Sequence, residues 1–178
     1  MTFEGFFVEE IVMYQQKIDK ELSELLLEKK LKIAVAESLT SGLIAHHLTR
    51  VPGSSKYFIG GVVCYNTIVK IKLCGVLPKT IQKYGEVSEQ VALEMVRGIK
   101  SLTNCDIAVS TTGIAGPEND QYTKDQTGLV FIGLSYPDRE SVKKFKFTGS
   151  RDQIQKDATE ASLGMVREYL KVNNSITI

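Results

Sequence analysis

Short apolar runs of strand character alternate with amphipathic helical segments, and this alternation limits the folds open to the chain. Five runs are rich in β-forming residues: 31–37, 57–66, 105–113, 127–136 and 141–149. The last two follow each other directly and read as a strand pair joined by a turn at "PDRE". Strands that alternate with helices early and pair late predict a layered α/β domain with a mixed sheet.

Helical periodicity separates the strands. It occurs over 8–30, 41–51, 78–85, 87–102 and 151–170. Ser88 is the predicted N-cap of its helix, and Ser150 with Gln153 has the spacing of a capping box. The run 69–76 fits a helix or a strand equally well. Gly60 and Gly61 fall inside a strand and predict a bulge or a close approach of two backbones.

The length and net charge of the chain limit the number of domains and the kinds of partner that can be expected. The chain has 178 residues, of which 43% are hydrophobic, so one domain spanning 1–178 is expected, with residues 1–31 as an N-terminal helix packed on it. The 22 basic and 21 acidic residues give a formal net charge of +1. Nucleic-acid binders usually carry a marked basic excess, so no nucleic-acid partner is expected.

The N-terminal sequence and the cysteine content together predict the cellular compartment of the protein. Acidic residues interrupt the apolar N-terminus, which does not resemble a signal peptide, and no run is long enough for a membrane span. Cys64, Cys74 and Cys105 are odd in number and form no C-x-x-C pair, which favours buried reduced thiols over zinc or disulfides. These features predict a cytoplasmic protein with no membrane association.

Three loops rich in hydroxyl and small residues each follow a strand-like run. They are "AESLTSG" (36–42), "STTGIAGP" (110–117) and "FTGSRDQ" (147–153). In open α/β sheets, ligands bind outside the carboxyl ends of parallel strands, and helix N-termini there favour phosphate or an oxyanion. A fourth segment, "CYNTIVK", adds Tyr65 and Lys70. The pattern predicts a site for a phosphate-bearing small molecule, although no P-loop or G-x-G-x-x-G motif is present.

Each candidate residue also has an ordinary structural interpretation. Ser38, Thr40 and Ser41 are residue types that commonly cap helices, and the Glu37 carboxylate could stabilise the positive N-terminal end of a helix dipole.

The remaining candidates also have two interpretations. Lys70 could be an exposed lysine, and Tyr65 a half-buried core residue. Arg151 lies at a helix N-terminus, where the dipole disfavours it, and this placement indicates a nearby anion. His46 and His47 are neighbours on a helix and have no spaced partner, so a shared metal is not expected.

The motifs, taken in order, resemble a known family. "AESLTSG", "VPGSSKYFIGGVVCYN", "YGEVSEQVALEMVRG", "TTGIAGP" and "GSRDQI" are similar to the CinA C-terminal domain family, the nicotinamide-nucleotide amidohydrolases, from about 32 to 170. The chain resembles the stand-alone form. The resemblance implies a three-layer α/β/α sandwich and deamidation of nicotinamide mononucleotide to nicotinic acid mononucleotide and ammonia. It implies no cofactor and no metal, a small nucleotide substrate and a homo-oligomer.

The resemblance also implies roles for residues. By motif, Ser38 matches the nucleophile, Lys70 the general base, and Tyr65 the tyrosine beside that base. A Ser–Lys pair needs a lysine with a lowered pKa, and the developing oxyanion needs fixed donors such as N–H groups at a helix start. The expected substrate-binding residues are Glu37, Thr40, Ser41, Gly42, Thr112, Gly113 and Arg151.

Three departures from the family pattern keep alternatives open. Leu39 replaces the usual cysteine, Ser41 replaces a glycine, and Asn66, Thr67 and Ile68 replace S-N-E, which puts an apolar residue where a polar or acidic one near the base is usual. The alternatives are a nucleotide-binding module without turnover, a partner protein linked to competence or damage, and a hydrolase for another amide.

Overall fold

A five-stranded mixed sheet forms the centre of the computed structural model, which describes residues 18–116 and 126–172. Its strands are β1 (Ile33–Glu37), β2 (Phe58–Val63), β3 (Ile107–Gly113), β4 (Leu129–Ser135) and β5 (Glu140–Lys146). The spatial order is β2-β1-β3-β4-β5, with β1 parallel to both neighbours and β4 and β5 antiparallel. The predicted mixed sheet with a late strand pair is confirmed.

The parallel part of the sheet brings three strand ends to one edge. Glu37 at the end of β1 is in register with Val63 of β2 and Thr111 of β3. The β1–β2 register shifts beside Ile33, and a Cβ at Gly61 would lie 2.3 Å from Val35 Cγ2. The predicted irregularity at the glycine pair is therefore present, and close contact of β2 with β1 requires a residue without a side chain.

In the described ranges, six helices and a short 3₁₀ turn at Ser54–Lys56 pack around the sheet. They are α1 (18–28), α2 (Leu43–Thr49), the turn Ser54–Lys56, α3 (Thr67–Cys74), α4 (Pro78–Tyr84), α5 (Glu89–Thr103) and α6 (Arg151–Val172). The predicted helix over 8–30 is described only from residue 18, so 8–17 lie outside the described residues, as does 117–125 of the loop after β3. No helix in the described ranges is long and apolar enough to cross a bilayer.

The run 69–76, whose periodicity fits a helix or a strand, lies largely in the helix α3. Asn66 caps it, since its side chain accepts the N–H of Ile68 at 2.9 Å, and Gly75 ends it with a φ of 66°. These two flanking residues carry the start and stop signals that periodicity alone did not supply.

Two apolar clusters lie on opposite faces of the sheet. Ile33 and Val35 of β1 pack in one cluster with buried residues of α1, α2 and α6. Ala34 and Ala36 point the other way and pack with α3 and α5. Successive side chains of a strand alternate between faces, so a strand buried at every position needs a helical layer on each side. The three-layer α/β/α sandwich is confirmed.

The predicted caps are largely as expected. Ser88 Oγ accepts the N–H of Val91 at 3.3 Å, and Ser150 Oγ accepts that of Gln153 at 3.2 Å. The reciprocal half of the capping box at α6 is not made, because the Gln153 amide donates to Asp157 at 2.7 Å instead.

Candidate functional site

A cavity of about 150 Å³ opens at the edge where the parallel strands end. It is lined by Ser38, Leu39, Tyr65, Lys70, Glu86, Val87, Thr112, Gly113, Ile114, Ala115 and Arg151. Each of the expected segments contributes to it: the turn after β1, the start of α3, the end of β3 and the first residue of α6. The cavity therefore lies where α/β sheets commonly bind ligands.

Ser38 is fixed by the sheet. Its N–H donates to the carbonyl oxygen of Thr111 at 3.1 Å, which continues the β1–β3 ladder one residue beyond the strand. The residue is 6% exposed and lines the cavity. Its Oγ makes no hydrogen bond with any residue of the described ranges, so the hydroxyl remains available to a ligand.

Lys70 is buried rather than solvated. Its side chain is 2% exposed, and Nζ donates to the carbonyl oxygen of Tyr65 at 3.2 Å. Nζ also lies 3.6 Å from Glu86 Oε2. The interpretation of Lys70 as an exposed lysine is wrong. Ser38 and Lys70 line one cavity, but no hydrogen bond joins them in this structure.

Glu86 is a lining residue that sequence reasoning missed. Its Oε1 accepts a hydrogen bond from Thr67 Oγ1, and its backbone carbonyl accepts one from Thr112 Oγ1 at 2.8 Å. Glu86 therefore connects α3, the end of β3 and Lys70. It lies in "YGEVSEQVALEMVRG", a stretch that matches the family pattern, but the sequence analysis gave Glu86 no role, and only the folded chain brings it to the site.

Arg151 and Tyr65 form the cationic side of the cavity mouth. Arg151 Nη1 donates to the Tyr65 hydroxyl at 3.5 Å, and Tyr65 is exposed, so the interpretation of Tyr65 as half-buried core is wrong. A Cβ at Gly116 would lie 2.7 Å from Arg151 Nε. The guanidinium therefore packs directly on the backbone of Gly116. A guanidinium placed at a helix N-terminus in this way is suited to an anion.

Glu37 has a structural role. It is buried, and its carboxylate accepts the N–H groups of Gly42 at 2.9 Å, Ile44 at 3.2 Å and Ala45 at 2.9 Å. A carboxylate at a helix N-terminus satisfies unpaired donors and the dipole together. The expectation that Glu37 and Gly42 bind substrate is not met in this structure, because the Glu37 carboxylate and the Gly42 N–H bond each other and neither residue lines the cavity.

Thr40 and Ser41 also lie outside the cavity. Thr40 is fully buried, with its Oγ1 hydrogen-bonded to Thr111 Oγ1 at 2.9 Å, so its side chain is not available to a ligand. Ser41 Oγ donates to the Leu39 carbonyl at 3.3 Å. Within the described ranges, the backbone N–H groups of Leu39 and Thr40 have no acceptor. The Leu39 N–H directly follows Ser38 and belongs to a residue that lines the cavity, so it is the remaining candidate for an oxyanion donor. The Thr40 N–H belongs to a fully buried residue outside the cavity.

The departures from the family pattern differ in their relation to the cavity. Leu39 is buried and lines the cavity, whereas Ile68 is 49% exposed and does not line it. The apolar replacement at Ile68 therefore does not change the lining of the cavity. Ser41 has a φ of 54°, the left-handed region that favours glycine.

Ser41→Gly is expected to stabilise the fold. The substitution removes the steric cost of a side chain at positive φ, and the Oγ hydrogen bonds that it deletes are long. We expect a gain of about 0.5–1 kcal/mol in the free energy of unfolding, measured by urea titration. Ser41→Ala is the control, because it deletes the hydroxyl and keeps the strain. A glycine variant no more stable than the alanine variant would contradict the argument.

The three cysteines are free and buried, as predicted, and none lines the cavity. A hydrogen bond with Cys74 and burial together raise the pKa of the Cys64 thiol, and burial raises that of Cys105.

His47 Nδ1 lies 2.9 Å from Asp19 Oδ1. Among the residues that the structure describes, no cluster of three or more His, Cys, Asp or Glu side chains could hold a metal ion.

Comparison of the sequence with known proteins identifies its relatives. A protein of Clostridium kluyveri, named for competence-damage induction, is 44% identical over 154 residues, which are 86% of this chain and 37% of that protein. A CinA-like protein of Thermotoga neapolitana is 41% identical over 159 residues, covering 89% of this chain and 38% of the relative. The chain thus spans less than two fifths of the length of these relatives.

Solved structures have the same fold. Competence damage-inducible protein A (ComA) of Klebsiella pneumoniae matches with a TM-score of 0.83 and 25% identity, over 88% of this chain and 97% of that one. The competence/damage inducible protein CihA of Agrobacterium tumefaciens matches with a TM-score of 0.76 and 29% identity, over 90% and 94%. The model of the CinA C-terminal domain matches residues 15–170, nearly the whole chain. The chain therefore belongs to the CinA C-terminal domain family.

Proposed function

We propose that the protein hydrolyses the carboxamide of nicotinamide mononucleotide to give nicotinic acid mononucleotide and ammonia. The observation that carries the proposal is one cavity that holds an unengaged serine hydroxyl, a buried lysine and an arginine at a helix N-terminus. A carboxamide needs an activated nucleophile, and a phosphate needs a cationic anchor. Family membership and the motif matches at these positions favour the same reaction.

In the proposed first step, Ser38 Oγ attacks the carboxamide carbon while neutral Lys70 takes its proton. The tetrahedral oxygen becomes negative and accepts a hydrogen bond from the N–H of Leu39. The C–N bond then breaks as Lys70 returns the proton to the leaving nitrogen, which releases ammonia and leaves an acyl ester on Ser38. Water, activated by Lys70, hydrolyses the ester and regenerates the serine.

Lys70 must turn toward Ser38 for this step, because Nζ bonds the Tyr65 carbonyl in this structure. Hydrogen bonds between catalytic groups are often long without substrate and shorten in the complex. The lysine side chain has four rotatable bonds, and both groups line the same cavity, so we propose that a rotation of the side chain brings Nζ to Ser38 Oγ.

The phosphate is assigned to Arg151. The guanidinium lies at the first residue of α6 and beside the Tyr65 hydroxyl, so the phosphate gains both a charged donor and the positive end of a helix. Tyr65 adds a further donor at the mouth. This arrangement predicts a preference for the mononucleotide over nicotinamide, which lacks the phosphate.

A binding module without turnover is the second candidate function. It is favoured by the missing hydrogen bond between Ser38 and Lys70 and by the ion pair that Lys70 makes with Glu86. Both functions predict binding of nicotinamide mononucleotide, and only the first predicts product.

The proposal is tested by incubating the protein with nicotinamide mononucleotide, nicotinamide and an unrelated primary amide. Ammonia is measured by a coupled assay and nicotinic acid mononucleotide by chromatography, in equal amounts if the reaction is hydrolysis. Turnover of the mononucleotide alone supports the proposal. Binding without product favours the second candidate, and activity confined to the unrelated amide contradicts both.

Gly116→Ala is expected to weaken phosphate binding without unfolding the protein. A methyl at this position meets the Arg151 guanidinium at 2.7 to 3.0 Å, and the flexible arginine moves more easily than the backbone. We expect the Kd for nicotinamide mononucleotide to rise about tenfold and the melting temperature to change little. The control is Gly164→Ala in α6, where an added Cβ meets nothing within 4 Å. An unchanged Kd in Gly116→Ala would show that Arg151 does not hold the phosphate.

A further inference from the structure

Among the cavity-lining residues of the described ranges 18–116 and 126–172, Glu86 carries the only carboxylate. The other charged lining groups are Lys70 and Arg151. Lys70 lies 3.6 Å from Glu86, whereas Arg151 contacts Tyr65 at the mouth. The cavity thus has a carboxylate beside the proposed base and a guanidinium at the position proposed for the phosphate.

The Glu86 carboxylate is held in place and still reaches the cavity. Thr67 Oγ1 donates to Oε1, and Thr112 Oγ1 holds the backbone carbonyl at 2.8 Å, so both the side chain and the main chain are anchored. The side chain is nevertheless 45% exposed. A fixed, partly exposed carboxylate in a cavity of about 150 Å³ acts on any charge that a ligand brings there.

The proposed reaction takes the ammonium partner away from this carboxylate. Lys70 neutralises Glu86 as an ammonium, but it must be a neutral amine when it takes the proton of Ser38. At that moment no other cation of the described residues forms an ion pair with Glu86. A ligand that brings a positive charge to the ring carrying the carboxamide would replace the ammonium as the partner of Glu86.

We propose that Glu86 is a specificity-determining residue that selects substrates whose carboxamide is attached to a cationic ring. This inference rests on the proposed function, in which the substrate carries a pyridinium ring and a phosphate. Glu86 faces the ring, and Arg151 holds the phosphate. A substrate with the same phosphate and carboxamide but a neutral ring lacks the charge that Glu86 recognises.

The test compares oxidised nicotinamide mononucleotide with its reduced dihydropyridine form, which has a neutral ring. Calorimetric Kd values are measured for both ligands on Ser38→Ala protein, which prevents turnover. The same measurements are made on two double variants, Ser38→Ala with Glu86→Gln and, as the control, Ser38→Ala with Glu89→Gln. Glu89→Gln removes an equal charge from an exposed position outside the cavity. Circular dichroism verifies that all three proteins are folded.

Glu86→Gln is expected to weaken binding of the oxidised ligand about tenfold and to leave the reduced ligand within about twofold, while Glu89→Gln changes neither. An equal loss for both ligands, or no loss for either, would overturn the role in ring selection and leave the amidohydrolase proposal intact. If Ser38→Ala protein does not bind the oxidised ligand and the wild type does not turn it over, the proposed function fails, and the inference fails with it.

Discussion

Ser38→Ala is expected to reduce ammonia release from nicotinamide mononucleotide by a factor on the order of 10⁴. The substitution removes the only atom that the proposed mechanism uses to form the acyl intermediate. Binding should change little, because Ser38 Oγ makes no hydrogen bond to the described residues and the phosphate is assigned to Arg151. The measurement is a coupled ammonia assay under saturating substrate, together with a calorimetric Kd.

The matched control is Ser162→Ala. Ser162 is also buried, but its hydroxyl donates to the Ala158 carbonyl at 2.7 Å within α6, away from the cavity. Ser162→Ala should keep wild-type turnover. If only Ser38→Ala loses turnover, the loss comes from the missing nucleophile and not from the removal of a buried hydroxyl in general. Wild-type turnover in Ser38→Ala would remove Ser38 as the nucleophile. Lost turnover together with lost binding would assign Ser38 to substrate recognition instead.

The local sequence predicted the parts of the site that depend on the ends of strands. "AESLTSG" follows β1 and "STTGIAGP" includes the end of β3, so the parallel register alone brings Ser38 and Thr112 to one edge. Arg151 was identified because a cation at a helix N-terminus breaks the dipole rule. Each of these inferences needed only a strand, its direction and one chemical rule.

Two other features of the site were not decided by the local sequence, which left two interpretations open for Glu37 and gave no role to Glu86. Glu37 lies beside the hydroxyl residues of its loop and was expected to bind a ligand, but its carboxylate turns back to the start of α2. Glu86 lies 16 positions after Lys70 in the sequence and reaches it only because α3 packs beside the loop that precedes α5. No periodicity reports how such loops fold across a sheet edge.

Gly98→Ala is expected to cause the largest loss of stability. Gly98 lies in α5, and a Cβ there would be 1.7 Å from the Cys74 carbonyl oxygen and 2.4 Å from its carbonyl carbon. These are backbone atoms at the end of α3, so no side-chain rotation can relieve the overlap, and the two helices must separate. We expect the free energy of unfolding to fall by about 3 kcal/mol, measured by urea titration. For a chain of this size, that is a drop of roughly 6–12 °C in melting temperature.

Gly98→Ala should also impair the site, because α3 carries Lys70 and a displacement of α3 displaces this lysine. Turnover per folded molecule is therefore expected to fall even at temperatures where Gly98→Ala remains native. Gly164→Ala again supplies the control, since it adds the same methyl to a helix where nothing lies within 4 Å, and it should be at least as stable as the wild type. A Gly98→Ala protein with wild-type stability would show that α3 and α5 are not in backbone contact. A destabilised variant with full turnover would show that the position of Lys70 does not depend on that contact.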